Sequence, residues 1–513
     1  MNRAATIKVF SVLLLVFFVS VLVRYPNINR PLSKHHEFIT AIPLRVLQIW
    51  DLEGASKFNF NPVMNYSGNA NKFINNHAST SGGMIDKEGN YYYVSHPQFA
   101  YIFPYLVFKV LHIKPTVLSL EVFHLVINFF SAAFIYLITC LLSIQKPFKQ
   151  VFIPGLVAFT VYLFSPAVLW FQCNTYMSDT LVHLPFILAV YTILKLLMRK
   201  RFYSPKYLFY YALFLFLMIY TSFLGLFFAA AVFFYSLIKL RKENVFIPLM
   251  LITISVSFFT LVLIVKQYSH INGLEAYIVQ MIDRFSERSG LVGTGILGTI
   301  YRTFGELIII LINYATSYLP IFILLGVFAV LTLKKAKMGL VFTKNGYRFL
   351  WLSALPVLML HFILLNYSGH DFVMLYGSLF LSVLIGILYD KLKRAEVLKP
   401  IVLRAGILLV IGSSLAIYYF INLPGEFSWK GDYYATSKDV GLFIKQNAKS
   451  DEVVYLNSPI DLDPQLIVYA ERNIIRVGTQ NVDSSLLKMN SITFTVSEYL
   501  DMSFQRNTAS LEP

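Results

Sequence analysis

The stretch "FAYIFPYLVFKVL", Phe99 to Leu111, decides the architecture. It is apolar throughout except for Lys109 and is short for a span, since a helix needs about 20 apolar residues to cross hydrocarbon. Runs of this length more often lie in the interface or dip into it. If this one crosses, every later segment inverts. The loops on either side settle which reading holds.

Longer apolar runs recur along most of the chain. They predict eleven membrane-spanning helices, at 7–23, 118–142, 151–171, 180–198, 207–220, 222–238, 246–265, 311–333, 349–366, 372–389 and 401–422. With a cytoplasmic N-terminus, one set of loops carries the cations: Lys146 and Lys149, then Arg199 to Lys206, Lys239 to Lys242, Lys334 to Arg348, and Lys391 to Lys399. The short turns on the other side, "QCNTYMSD", "YTS" and "NYSGHD", carry no Lys or Arg. That is the positive-inside pattern, and it holds only if 99–111 does not span. The run is therefore placed in the outer interface.

Composition agrees with a membrane-embedded chain. Of 513 residues, 57% are hydrophobic and 14% charged, against nearer a quarter charged in a soluble domain. The mean hydropathy is +0.63. Closely spaced spans mean a helical bundle, because an open sheet leaves backbone groups unpaired in lipid. The net charge of +16 does not point to nucleic acid, since the cations sit in short clusters between apolar runs. Cys140 and Cys173 give no disulfide framework and no metal spacing. No small-residue cleavage site follows 7–23, so it is read as an uncleaved first helix.

The outer side then holds a long first loop, 24–117, a loop at 266–310, short turns at Asp179 and Asp371, and a polar tail. The domains are 1–422, membrane-embedded, and 423–513, a small soluble α/β unit on the outer face. In the tail, Ser437 or Asp439 caps a helix through Gln446. "EVVYLN" at 452–457 and "NIIRVG" at 473–478 read as short strands, and Asp463 before Pro464 as a helix start.

The polar groups worth attention gather on the outer face. His35, His36 and Glu37 follow the first helix in "LSKHHEFITA"; Asp51 and Glu53 lie in "IWDLEG"; "INNHAS" at 74–79 contains His77. "YYYVSHPQF" ends at Phe99 and contains His96; "NTYMSDT" contains Asp179; "YSGHDF" contains His370 and Asp371. Carboxylates from separate loops that converge over the mouth of a bundle suit general-base chemistry on a membrane-embedded substrate.

These motifs resemble those of the GT-C superfamily of membrane glycosyltransferases. That group includes the dolichyl-phosphate-mannose protein mannosyltransferases and the bacterial aminoarabinose transferases acting on lipid A. Family members carry an acidic residue soon after the first helix, and Glu37 in "HHEFITA" stands there. They carry a tyrosine-rich approach to a His-Pro-Pro-like or Lys-Pro-Pro-like motif; "YYYVSHPQFAYIFPYL" is similar, with Gln98 where a second proline is usual. A second acidic residue in the next outer loop is matched by Asp179 in "YMSDTLVHL". A Thr-Lys pair near a middle helix is matched by Thr221, with Ser222 in place of the lysine. The resemblance implies a polytopic α-helical GT-C-like fold. It also implies transfer of a sugar from a polyprenyl phosphate to an envelope glycan, lipid or protein, usually with inversion. Glu37 is then the base and Asp179 a supporting carboxylate. His36 and His96 orient the acids, His370 and Asp371 contact substrate, and Arg302, with Arg284, Arg288 and Lys266, meets the phosphate. No cofactor is assigned; a divalent metal stays open as an alternative that ligand spacing does not support, since His35, His36, His77 and His96 match no familiar metal site.

Plainer readings stand beside these. Glu37 also reads as a loop acid or a helix cap. Asp179 reads as a first-turn residue favoured by the helix dipole, and His370 with Asp371 as a turn cap. Tyr91 to Tyr93 read as an interface belt. "GTGILG", Gly293 to Gly298, satisfies G-x-G-x-x-G but follows no strand of a βαβ unit. It is read instead as a flexible outer loop over a lipid-linked substrate. The alternative function is a transporter or flippase of a lipid-linked saccharide, which would place charges near mid-membrane and show inverted halves. A non-catalytic assembly or sensor protein is a third. The short loops and the absence of a transit peptide predict a bacterial inner membrane, with the first loop and tail periplasmic.

Overall fold

The structure, a computed structural model, describes residues 3–32, 36–67, 83–143, 148–198, 204–240, 245–290, 295–334, 343–394, 396, 398–422, 437–458, 464–477, 490–497 and 501–507. His35, His77 and Asp463 lie outside these residues. Helix α1 (Arg3–Arg24) leads into α2 (Glu37–Glu53), a hairpin of β1 (Gly83–Ile85) and β2 (Tyr91–Tyr93), and α3 (Phe99–Leu111). The bundle continues with α4 (Val117–Leu142), α5 (Phe148–Phe164), α6 (Pro166–Asn174), α7 (Ser178–Leu181) and α8 (His183–Leu197). Then come α9 (Pro205–Ile219), α10 (Leu224–Lys239), α11 (Phe246–Ser289), α12 (Gly295–Lys334), α13 (Lys344–Ile363), α14 (Leu365–Ser368), α15 (Gly377–Arg394) and α16 (Pro400–Ile417).

Among the described residues, eight helical segments are long and apolar enough to cross a membrane, nine if the bent pair α5–α6 counts as one. The chain is thus a multi-pass membrane protein. Helices α9 and α10 are shorter apolar helices that occupy two of the eleven expected positions. Helix α3 has 13 residues and falls in the same short class.

Two segments depart from the sequence reading. The predicted span 151–171 is broken by 61° at Ser165 and Pro166. Proline disfavours the α conformation for the residue before it, and Ser165 is extended (φ −67°, ψ 143°). The break leaves backbone carbonyls at the end of α5 without intrahelical donors. The buried guanidinium of Arg24 bridges the break, donating to Leu163 O at 3.2 Å on one side and to Val168 O at 3.1 Å and Leu169 O at 3.2 Å on the other.

The expected loop at 266–310 is instead mostly helix. Helix α11 runs to Ser289 with one break, at Asn272 and Gly273. Leu274, Ile278, Ile282 and Phe285 recur at intervals of three and four, the pattern of a helix with one apolar stripe. Gly295 to Gly298, read as a flexible loop, begin α12.

The tail folds as α17 (Ser437–Asn447), β3 (Val453–Asn457), α18 (Gln465–Ala470), β4 (Ile475–Val477), β5 (Ser491–Val496) and β6 (Met502–Asn507). The sheet order is β4-β3-β5-β6. Strand β3 is parallel to both neighbours, and β5 and β6 are antiparallel. Residues Val453 to Leu456 are buried on consecutive positions, as a central parallel strand requires.

Candidate active site

Helix α2 begins at the site. His36 precedes it in the left-handed conformation (φ 61°), and Glu37 is its first residue. The Glu37 carboxylate is 1% exposed. It is ion-paired with Arg30 and accepts from Asn174 Nδ2 at 2.9 Å. Asn174 is the last residue of α6, so the α5–α6 break delivers this partner. The His36 ring turns the other way. Its Nε2 lies 2.8 Å from Asp371 Oδ1, and its ring packs edge-on against Phe372. His370 stacks on the same Phe372, with centroids 5.2 Å apart and planes 9° from parallel.

A second cluster surrounds Asp179. Its carboxylate accepts from the Tyr376 hydroxyl, from Ser178 Oγ at 3.2 Å and from Ser222 Oγ at 3.4 Å. The serine at 222, where the family pattern has a lysine, thus serves the acid. The β1–β2 hairpin carries the chain from Tyr93 to His96, which is buried. Burial, then the adjacent Arg288, push the imidazole down to about 3. It is therefore neutral near pH 7, and His96 Nε2 accepts from Arg288 at 3.2 Å, which fixes the proton on Nδ1. The Arg288 guanidinium lies 4.6 Å from the Tyr367 ring centroid. It is 6% exposed, its Nε has no hydrogen-bond partner, and no carboxylate lies within ion-pair distance among the described residues.

Three cavities meet around these clusters. The first, about 260 Å³, is lined by His36, Tyr93, His96, Arg284, Arg288 and Tyr367 among others. The second, about 560 Å³, shares His36, Asn366 and His370 with the first and adds Trp170, Glu306 and Asp371. The third, about 350 Å³, shares His96 with the first and is otherwise walled by mostly apolar side chains, among them Val94, Ile219, Phe223, Ile264 and Phe285.

No family model and no curated protein sequence matches the chain. Solved structures do. ArnT from Cupriavidus metallidurans bound to undecaprenyl phosphate superposes with a TM-score of 0.61 at 12% identity, covering 100% of both chains. The archaeal oligosaccharyltransferase AglB from Archaeoglobus fulgidus, in complex with an inhibitory peptide and a dolichol-phosphate, gives 0.52 at 12% identity. That match covers 93% of this chain and 65% of AglB. Both are of the GT-C class. The chain has the GT-C fold.

Within this fold, His36, His96, His370 and Asp371 line the first or second cavity, as do Arg284 and Arg288. Glu37, directly after His36, lines neither cavity, and Asp179 lies beside Ser178, which lines the first. Arg302 lines neither; it sits over Gly290, within 4 Å of a Cβ placed there. Among the described residues no group of three or more His, Cys, Asp or Glu is placed to hold a metal ion. Sequence reasoning missed Arg30, Asn174, Tyr367 and Tyr376. A tyrosine-rich membrane chain offers no signal that picks, from 33 tyrosines, the one that bonds an acid and the one that stacks on an arginine.

Proposed function

We propose that the chain is a membrane glycosyltransferase that moves a sugar from a polyprenyl phosphate to a cell-envelope acceptor, with inversion. Arg288 carries the reading. A nearly buried guanidinium with no carboxylate partner among the described residues is costly, and a phosphate offers it a bidentate partner. It lines the first cavity and packs 5.8 Å from the ring centroid of Phe223, a wall of the apolar third one, which suits a phosphate with its prenyl chain. The acceptor hydroxyl attacks the anomeric carbon while the bond from that carbon to the lipid phosphate oxygen breaks, and that oxygen leaves with the electron pair. Arg288 and Arg284 meet the charge that develops there.

The hydroxyl proton passes to a carboxylate. Glu37 is the proposed base, with Asp179 in support; Glu37 directly follows His36, which lines both polar cavities. A second reading gives the proton to the His36–Asp371 pair, favoured by its place at the junction of the two polar cavities. The reaction belongs to a bacterial inner membrane, with the first loop and tail periplasmic.

The test uses the purified chain in nanodiscs with a panel of radiolabelled polyprenyl-phosphate sugars and an envelope extract. Glu37→Gln lowering transfer by at least about a hundredfold, the scale of a lost general base, with Asp371→Asn milder, supports Glu37. The reverse ranking moves the base to the His36–Asp371 pair. Binding of these lipids without transfer by the wild type favours a transporter.

A further inference from the structure

The second cavity has a chemistry of its own. Among the described residues no Lys or Arg lines it, whereas two carboxylates do, Glu306 and Asp371. Asp371 Oδ1 lies 2.8 Å from His36 Nε2, and Arg302 stands one turn before Glu306 on α12. The first cavity instead has Arg284 and Arg288 in its wall. The two spaces are contiguous through His36, Asn366 and His370, so what fills one abuts what fills the other. Trp170 also lines the second cavity; it is 1% exposed, the Arg30 guanidinium lies 5.6 Å from its ring centroid, and its indole Nε1 has no hydrogen-bond partner among the described residues. A buried donor left unpaired is costly, and an indole N–H suits a sugar hydroxyl.

The outer wall faces the bilayer. Ile309 and Ile312 line the cavity from α12, and they are 43% and 55% exposed. Ile308 and Leu311 beside them are more exposed still, at 56% and 68%. Exposed apolar side chains on the perimeter of a membrane bundle face lipid. A molecule entering here comes sideways from the membrane.

We infer that the second cavity is the acceptor's site and takes a lipid-anchored saccharide with an uncharged, non-phosphorylated head group. This rests on the transferase reading above. Carboxylates in the wall repel an anionic head, and the opening toward lipid selects a head that is carried on a chain.

Three diazirine photoprobes test this on the full chain in nanodiscs: decyl glucoside, decyl glucoside 6-phosphate and tailless methyl glucoside. Crosslinked peptides are read by mass spectrometry, and undecaprenyl phosphate binding is measured in parallel. The decyl glucoside probe is expected to label the segments around Trp170 and Ile309 at least about tenfold above the other two, a difference of about 1.4 kcal/mol. Ile312→Trp, at the mouth, is expected to cut that label about as far, and Glu306→Lys to turn the preference toward the phosphorylated probe. Both variants should keep undecaprenyl phosphate binding, which reports an intact fold. Equal labelling by the tailless probe, preference for the phosphorylated one, or no labelling of these segments overturns the inference. Labelling without undecaprenyl phosphate binding would sink the transferase reading and leave the cavity's ligand class standing. Binding without labelling would do the reverse.

Discussion

His96 shows what single side chains contribute. It is neutral because burial and Arg288 oppose its charge, and being neutral it can accept from Arg288. Protonation destroys that arrangement and sets two cations against each other. The folded value of about 3 lies below the unfolded value of about 6.5. The contribution to stability is therefore whole above about pH 6.5 and lost as pH falls toward 3. At pH 5 the loss from this one group approaches about 2 kcal/mol. Thermal unfolding in detergent should show a wild-type midpoint that falls between pH 7.5 and 5. His96→Asn should flatten that slope, and an unchanged slope would mean that His96 stays solvated. His36, Glu37, His96, Asp179, His370 and Asp371 were legible because ionisable residues are conspicuous in a chain with so few. Their partners were not. That Arg30 pairs with Glu37, or that Tyr376 donates to Asp179, depends on which helices pack together, and local sequence does not carry that.

Among the elements, α11 has the break that aims the cations. Gly273 has φ 88° and ψ 165°, a region that is essentially reserved for glycine. A Cβ placed there would touch nothing within 4 Å. Gly273→Ala therefore isolates backbone strain from packing. Its expected cost is about 1–3 kcal/mol, read as a lower unfolding midpoint. Relief of the strain by straightening α11 would shift Arg284 and Arg288, so affinity for undecaprenyl phosphate should fall with it. A variant as stable and as tight as the wild type would show that the break is not needed. The Asn-Gly pair was visible in the sequence. What concealed the helix beyond it was the polar run before it, "KQYSH", which resembles the end of a span. Loop charge placed Phe99–Leu111 outside the spans. The same reasoning could not show α5 breaking at Pro166, because the apolar run continues through the proline.

At the scale of the whole molecule, the tail is clamped to the helix that starts at Glu37. Asn473, ahead of β4, accepts from Tyr66 N at 2.7 Å and donates to Tyr66 O at 2.6 Å. The Tyr469 hydroxyl on α18 accepts from Leu32 N at 2.9 Å, and Val468 O accepts from Gln48 on α2. Helix α2 is thus held between the bundle, through Asn174, and the tail. The first cavity's cations come from α11, which these bonds do not touch. The two halves of the proposed chemistry are therefore separable. Asn473→Ala removes both Tyr66 bonds and leaves a buried backbone pair unsatisfied, a cost of about 1–3 kcal/mol. If α2 owes its position to the tail, the variant should transfer sugar more slowly while binding undecaprenyl phosphate as the wild type does. Side-by-side turnover and binding measurements on the variant decide it. Loss of both together would mean that the tail supports the bundle as a whole. Loss of neither would mean that α2 is fixed by Asn174 and the membrane helices alone, and that the tail serves another end.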